Sequence, residues 1–290
     1  MTEIPHPRSS RRRLIVGCGY LGKRVASRWL AAGDTVYATT RKQTRANEFT
    51  TMGLHPLLGD VTAATDAPNS LRELPTVDTV LWAVGFDRAA TASYEDVHVS
   101  GLSQLLDRLP GQPRIIFISS TGVWGDGGGG FVNETTPPTP IREAGRVLVA
   151  AEALLHAHCH GPGVSLRFAG LYGPDRLPRL ANLLAARPLP VDPESWINLI
   201  HIDDAAAVVC GVAELPKPLP LYVVSDGSPL TRRDWYEGLA QIAGTPAPVW
   251  DPTASRSRGG DKRVDPRLIW ADLGHGPDQP DALRAVQRLL

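Results

Sequence analysis

Apolar positions along the chain alternate between short continuous runs and stripes at helical spacing. Leu14-Ile15-Val16 is a run of the kind buried on both faces, and Val25, Ala26, Trp29 and Leu30 follow it at helical spacing. Thr35–Thr40 predicts a second strand, Leu54–Asp60 a short third strand and Asp78–Gly85 a fourth. Val97, Gly101, Leu102, Leu105 and Leu106 predict a helix over Tyr94–Leu109, and Arg114–Ser120 an apolar strand that ends in two hydroxyls. A long helix over Ile141–His158 leads to a strand at Val164–Phe168. Strands alternating with helices predict an α/β fold with a doubly wound parallel sheet of the Rossmann kind. Such sheets bind ligands beyond the carboxyl ends of their strands.

Gly17-Cys18-Gly19-Tyr20-Leu21-Gly22 lies between the first strand and the first helix. In that context a Gly-x-Gly-x-x-Gly turn reads as a dinucleotide site. Gly17 makes the tight turn, Gly19 lets the backbone approach a pyrophosphate, and Gly22 lets the helix pack on the strand. Tyr20 and Leu21 open the helix whose N–H groups face the anion. A glycine-rich turn without a ligand is the alternative. About twenty residues on, where the ribose is read, the second strand ends in Thr39-Thr40-Arg41-Lys42 with no carboxylate for a free 2′-hydroxyl. Thr40, Arg41 and Lys42 suit a 2′-phosphate, because arginine offers it a planar fork of donors. The expected cofactor is therefore NADP, with NAD second, unless the basic pair is only an exposed turn.

Composition narrows the partners. Lys plus Arg and Asp plus Glu are balanced at 30 each, so the whole chain shows no electrostatic footprint for nucleic acid or an anionic membrane. Arg8 and Arg11 to Arg13 sit in a Pro/Ser-rich lead-in without the apolar core of a secretion signal, and residues 1–12 are expected to be a solvated, flexible basic tail. Three scattered cysteines make no disulfide framework and no apolar run approaches a membrane span, which points to the cytoplasm. Cys18 is expected to fill space in the glycine turn. His156, His158, Cys159 and His160 lack partners at metal-site spacing and sit at a predicted helix end, so no metal is expected.

The stretch Thr121–Pro140 carries Asp126, four glycines at Gly127 to Gly130, and three prolines, and is expected to be a mobile surface loop over the site. The dinucleotide-binding domain is expected over residues 13–172. Beyond Gly173-Pro174 the proline content rises, which predicts a smaller substrate lobe over 173–290, interleaved with returns to the sheet. Within it Asp175 to Trp196, with Arg176, Arg179 and Arg187, is expected to shape the substrate pocket, the arginines binding a diphosphate or lying in water. The two long helices are candidates for pairing two copies.

The glycine turn, Gly59-Asp60, Ser119-Ser120-Thr121-Gly122-Val123-Trp124-Gly125, Arg167 to Pro174, Ile200 to Asp204 and Lys262 to Leu268 occur in this order along the chain. In that series the chain resembles the extended and atypical short-chain dehydrogenase/reductases, the NAD-dependent epimerase/dehydratase family, from Leu14 to the C-terminus. The resemblance implies that Asp60 contacts adenine, that Ala83 and Val84 line the adenosine side, and that Ser120, with Thr121 beside it, is the catalytic hydroxyl. It implies that Tyr172, with Gly173-Pro174, packs against the nicotinamide, and that Asp203 and Asp204 are structural. A strand cap for Ser120 and a helix cap for Asp60 are the plainer alternatives.

The departures are informative. The family's Tyr and Lys fall at Ala144 and Leu148 when Glu152 is aligned, the glycine turn is one residue short, and His98 stands where asparagine is common. Arg142 and Arg146 lie nearby, but arginine cannot replace a tyrosyl proton donor. Candidate replacements are Thr121, Tyr172, Asp126, Glu134 and His98. Two function classes follow. One is an NADP-dependent oxidoreductase or nucleotide-sugar epimerase/dehydratase-like enzyme with a displaced proton donor and a small-molecule substrate. The other is a non-catalytic NADP-binding redox sensor.

Overall fold

Seven strands form one sheet: β1 (Arg12–Val16), β2 (Thr35–Thr40), β3 (His55–Leu58), β4 (Thr79–Trp82), β5 (Arg114–Ser120), β6 (Gly163–Phe168) and β7 (Leu221–Val224). Across the sheet they run β3-β2-β1-β4-β5-β6-β7, and every pairing is parallel. The computed structural model describes residues 9–64, 66–71, 73–87, 89–158, 163–253 and 260–290. The chain builds outward from β1 to β3, then returns to start the other half at β4. This reversal leaves a crevice beyond the carboxyl ends of β1 and β4, the place where doubly wound sheets hold ligands.

The helices are α1 (Tyr20–Ala31), α2 (Gln43–Thr51), α3 (Gly101–Leu106), α4 (Glu143–Ala157), α5 (Leu180–Leu184), α6 (Ile202–Glu214), α7 (Arg232–Ala243), α8 (Arg267–Leu273) and α9 (Ala282–Val286). Strand side chains alternate between faces. Ile15, Leu81, Ile116 and Leu166 pack under α1, α2, α6 and α8, whereas Leu14, Val16, Trp82 and Phe117 pack under α3 and α4. A third core joins Tyr172, Leu183, Leu199, Trp235, Leu239 and Val286. It sits over the carboxyl end of the sheet. Among the described residues no helix is long and apolar enough to cross a membrane.

The helix expected over Tyr94–Leu109 is split. A wide π turn at Asp96–Ser100 precedes α3, where Gly101 presses on the Val61 backbone. The basic lead-in also reads differently from a solvated tail. Arg12 opens β1, and Arg13 is fully buried with its guanidinium on Asp34 (2.9 Å), Thr79 (2.6 Å) and Glu214. That cation is neutralised inside the fold, and it joins β1, β4 and the end of α6. Arg8, Cys159 and His160 lie outside the described residues.

Candidate functional site

The crevice is built first by the glycine turn. Gly17 has φ +91°, and a Cβ there would lie 2.5 Å from the Ala83 carbonyl oxygen, so only glycine brings β1 this close to the end of β4. A Cβ at Gly22 would lie 2.8 Å from the Gly17 carbonyl, which locks α1 against the turn. Gly19 is the exception. A Cβ there would meet nothing within 4 Å, so the turn opens onto empty space at the N-terminus of α1, whose first turn carries no acidic residue. Open space before the N–H groups of a helix N-terminus is the geometry that suits an anion. Cys18 beside it is buried and its thiol is pushed up to about 11 by burial, which suits a space filler rather than a nucleophile.

A cavity of about 340 Å³ continues from the turn past Thr40, Arg41, Lys42, Asp60 and Val84. Thr39 accepts a hydrogen bond from the Gly17 N–H (3.3 Å) and so ties β2 to the turn. Arg41 pairs with exposed Asp87 at 3.1 Å and approaches Asp60 at 3.8 Å. Asp60 also accepts from the backbone N–H and hydroxyl of Thr62. Arg45, which the sequence reading missed, lines the same cavity and donates to the Cys18 carbonyl at 2.9 Å. It sits four residues after Arg41 at the start of α2, a spacing that could have revealed it. Leu21 is buried in the core under α1, and Ala83 packs beneath Gly17, so both shape the turn from behind. Tyr20 bridges outward, donating to the Pro174 carbonyl at 2.9 Å with Arg176 5.5 Å from its ring centre.

A second cavity, of about 680 Å³, lies beyond the end of β5, with Ser120 and Thr121 on its wall. Ser120 caps the short turn Thr121–Val123, accepting the Gly122 N–H at 3.0 Å, so its own O–H remains to donate. Behind it Ser119 donates to buried Glu152 (2.6 Å), and Glu152 holds Arg167 at 3.0 and 2.6 Å, fixing β5, β6 and α4 together. Arg142, Arg176, Arg179, Arg232 and Lys262 also line this cavity, and among its described lining residues none is a carboxylate. Arg179 has φ 58° and Asp175 φ 62°, left-handed backbone that costs energy at non-glycine residues and concentrates at ligand sites. Arg187 is exposed and lies away from the cavity.

The glycine loop is held, not loose. Asp261 accepts the N–H groups of Gly127 (3.0 Å) and Gly129 (2.8 Å) on its carbonyl and that of Trp196 (2.9 Å) on its carboxylate. Asp126 accepts from the Asp261 N–H (3.1 Å), Arg263 donates to the Gly129 carbonyl (2.8 Å), and Asn198 bonds Lys262 and Val264 through their backbones. Four glycines give closely spaced N–H groups with no side chains in the way. In place of the expected mobile surface loop, residues 126–130 are clasped to Asp261 and Arg263, and the clasp places Lys262, only 4% exposed, at the second cavity.

Other candidates fall elsewhere. Tyr172 is fully buried between His201 and Trp235 and lines neither cavity, and burial raises its phenol further, so it is corrected from cofactor contact and proton donor to core residue. His98 is buried against Tyr94 and Phe117, and burial lowers its imidazole to about 4, leaving it neutral and off the cavities. Glu134 accepts the Val223 N–H at the edge strand (2.8 Å), and Asp126 serves the clasp. Asp204 caps the N–H groups of Asp278 and Gln279, while Asp203 pairs with Arg24, both structural. Ala144 is exposed and Leu148 is in the core, so α4 offers no acid or base at those positions. Among the described residues no group of three or more potential ligands could hold a metal ion.

A model of the NAD dependent epimerase/dehydratase family matches residues 14–224. The chain is 30% identical over 276 residues to Protein YeeZ of Escherichia coli, covering 93% of this chain and 96% of that protein. Among solved structures, a putative NAD-dependent epimerase/dehydratase from Methylobacillus flagellatus superposes with TM-score 0.75 at 29% identity, over 97% of this chain and 98% of that one. The UDP-glucuronic acid 4-epimerase of Bacillus cereus, solved with UDP-glucuronic acid and NAD, shares the fold with TM-score 0.76 at 20% identity, over 96% and 98% of the two chains.

Proposed function

The chain belongs to the NAD-dependent epimerase/dehydratase family, and from that premise we propose that it is an NADP-dependent oxidoreductase or nucleotide-sugar epimerase/dehydratase-like enzyme that works without the family's usual Tyr/Lys pair. The observation that carries this reading is a pair of different spaces at the carboxyl ends of the sheet strands. An open glycine cradle follows β1, and a cavity beyond β5 has four arginines and Lys262 but no carboxylate among its described lining residues. The cradle fits a dinucleotide, because the space above Gly19 is clear and α1 begins there. Arg41, Lys42 and Arg45 favour the 2′-phosphate. Arg41 is held in place by an exposed pair with Asp87, and such surface pairs exchange for a phosphate at little cost.

A bound nicotinamide would supply or accept a hydride. The chain's own residues do the rest. Arg142, Arg176, Arg179 and Arg232 hold an anionic substrate such as the diphosphate of a nucleotide sugar, since guanidinium forks match phosphate oxygens. Ser120 donates its free O–H to the reacting oxygen, and Thr121 stands beside it.

The test is fluorescence titration with NADPH and NADH, followed by hydride transfer to a panel of nucleotide sugars and simple carbonyls. NADPH is expected to bind at least about tenfold tighter, and Arg41→Asp to erase that preference. Ser120→Ala is expected to lower turnover about 100-fold. Equal affinity for both dinucleotides would overturn the cofactor assignment. A second reading, the non-catalytic sensor, draws support from exposed Ala144 and core Leu148. Tight NADPH binding with wild type and Ser120→Ala equally inert on every substrate would select it.

A further inference from the structure

We infer that Lys262 is the group that exchanges a proton with the substrate oxygen in the second cavity, in the part for which α4 supplies no side chain. The inference rests on the enzymatic reading above. Lys262 lines the cavity with Ser120 and Thr121, and the clasp fixes its backbone on both sides. Its ammonium donates to the carbonyl oxygens of Trp124 (3.2 Å) and Gly125 (3.4 Å), residues just beyond the Ser120 turn. These are long bonds to neutral acceptors. They position the amine at the cavity wall.

The residue type is itself informative. The chain has twenty-six arginines and four lysines, yet a lysine occupies this buried position on a wall whose other charged described residues are arginines. A guanidinium keeps its proton, whereas an amine can give one up, and burial makes this easier. Here burial and the nearby charges of Arg232 and Arg142 outweigh the opposing Asp126 and Asp261, and lower the amine to about 8. When a substrate carbonyl carbon accepts hydride from the reduced dinucleotide, the C=O π pair passes to oxygen. Lys262 then transfers one proton to that oxygen, forming the alcohol O–H. The resulting neutral amine regains its proton from water, and in the reverse direction it accepts the alcohol proton.

Four lysines make a direct measurement practicable. The ¹³Cε signals of the full-length protein, labelled at lysine, are followed against pH without cofactor and with NADP⁺ plus UDP. One signal, absent from Lys262→Arg, is expected to titrate near 8 and to shift when UDP is added, while the other three titrate in the ordinary amine range. In parallel, Lys262→Arg is expected to keep the wild-type melting temperature and NADPH affinity within about twofold. On any carbonyl the wild type reduces, it is expected to lose hydride transfer by about 10²–10⁴-fold together with the pH limb near 8. A Lys262 signal that stays charged beyond pH 10 and ignores UDP would make the residue a structural clamp and overturn the inference. Wild-type rates and pH profile in Lys262→Arg would also overturn it, as would loss of the pH limb in Tyr236→Phe, which removes the hydroxyl of a buried phenol lining the same cavity, with the limb kept in Lys262→Arg. Absence of wild-type turnover on every substrate would instead overturn the enzymatic reading, a separate failure.

Discussion

The cleft at the glycine turn and the cavity beside Ser120 both lie beyond the carboxyl ends of the sheet strands and are built by opposite means. The first is chiefly backbone from the first hundred residues, with glycines removing side chains where an anion must approach, and with Asp60 and Asp87 close to Arg41. The second is lined from seven separate stretches between Ile118 and Lys262, strongly cationic, with Arg179 on strained backbone. The difference teaches what each space demands. Recognition by backbone N–H groups requires absence of bulk and tolerates little substitution. Recognition by arginine side chains requires long-range assembly and spreads its energy over several residues.

That contrast can be broken most sharply at the turn. Gly17→Ala is expected to cost on the order of 3 kcal/mol and to abolish NADPH binding, because the left-handed backbone and the Ala83 carbonyl both oppose a Cβ. Gly19→Ala is expected to leave the melting temperature unchanged and still weaken NADPH about 100-fold, because its Cβ fills only the ligand's space. Thermal melts beside fluorescence titrations measure both, and a Gly19→Ala that binds normally would remove the cradle from the account.

A smaller effect sharpens the other side. Arg142→Ala and Arg232→Ala are each expected to weaken UDP about tenfold by calorimetry while leaving NADPH affinity within twofold. Coupled losses for both ligands would show the two spaces to be one. The smallest effect is in stability. Lys262 titrates near 8 when folded and at its ordinary 10.5 when unfolded, so between these values the unfolded chain binds more protons and stability rises with pH. Urea midpoints are expected to show a gain of about 1 kcal/mol from pH 8 to 9 that is absent in Lys262→Met. An equal rise in both proteins would assign it to other groups.

The same contrast explains what could be read in advance. Leu14-Ile15-Val16, the glycine turn and the hydroxyls at the end of β5 are local, and periodicity and φ requirements expose them. Arg45 escaped although it is equally local, because helix α2 turns it back onto the Cys18 carbonyl. Lys262 stood out only as the first residue of a block shared with the family and received no role, because it meets Trp124 across 138 positions of sequence. Glycine-rich composition suggested mobility for residues 127–130, but the N–H groups of Gly127 and Gly129 are bonded to Asp261, that of Gly128 to Asp126 and that of Gly130 to the Gly127 carbonyl. Family likeness placed Tyr172 at the cofactor, whereas its neighbours Trp235 and His201 draw it into the lobe core.

Arg13 carries a consequence for how the protein is made. Its buried guanidinium needs Glu214, which lies 201 positions later in the chain and at the far end of α6. A nascent polypeptide can therefore offer this guanidinium its Asp34 partner early, but the second carboxylate, Glu214, arrives only after roughly three quarters of the 290 residues have been translated. The first strand closes its full set of partners only when α6 is in place, so a fragment that ends before α6 is expected to melt below the full chain.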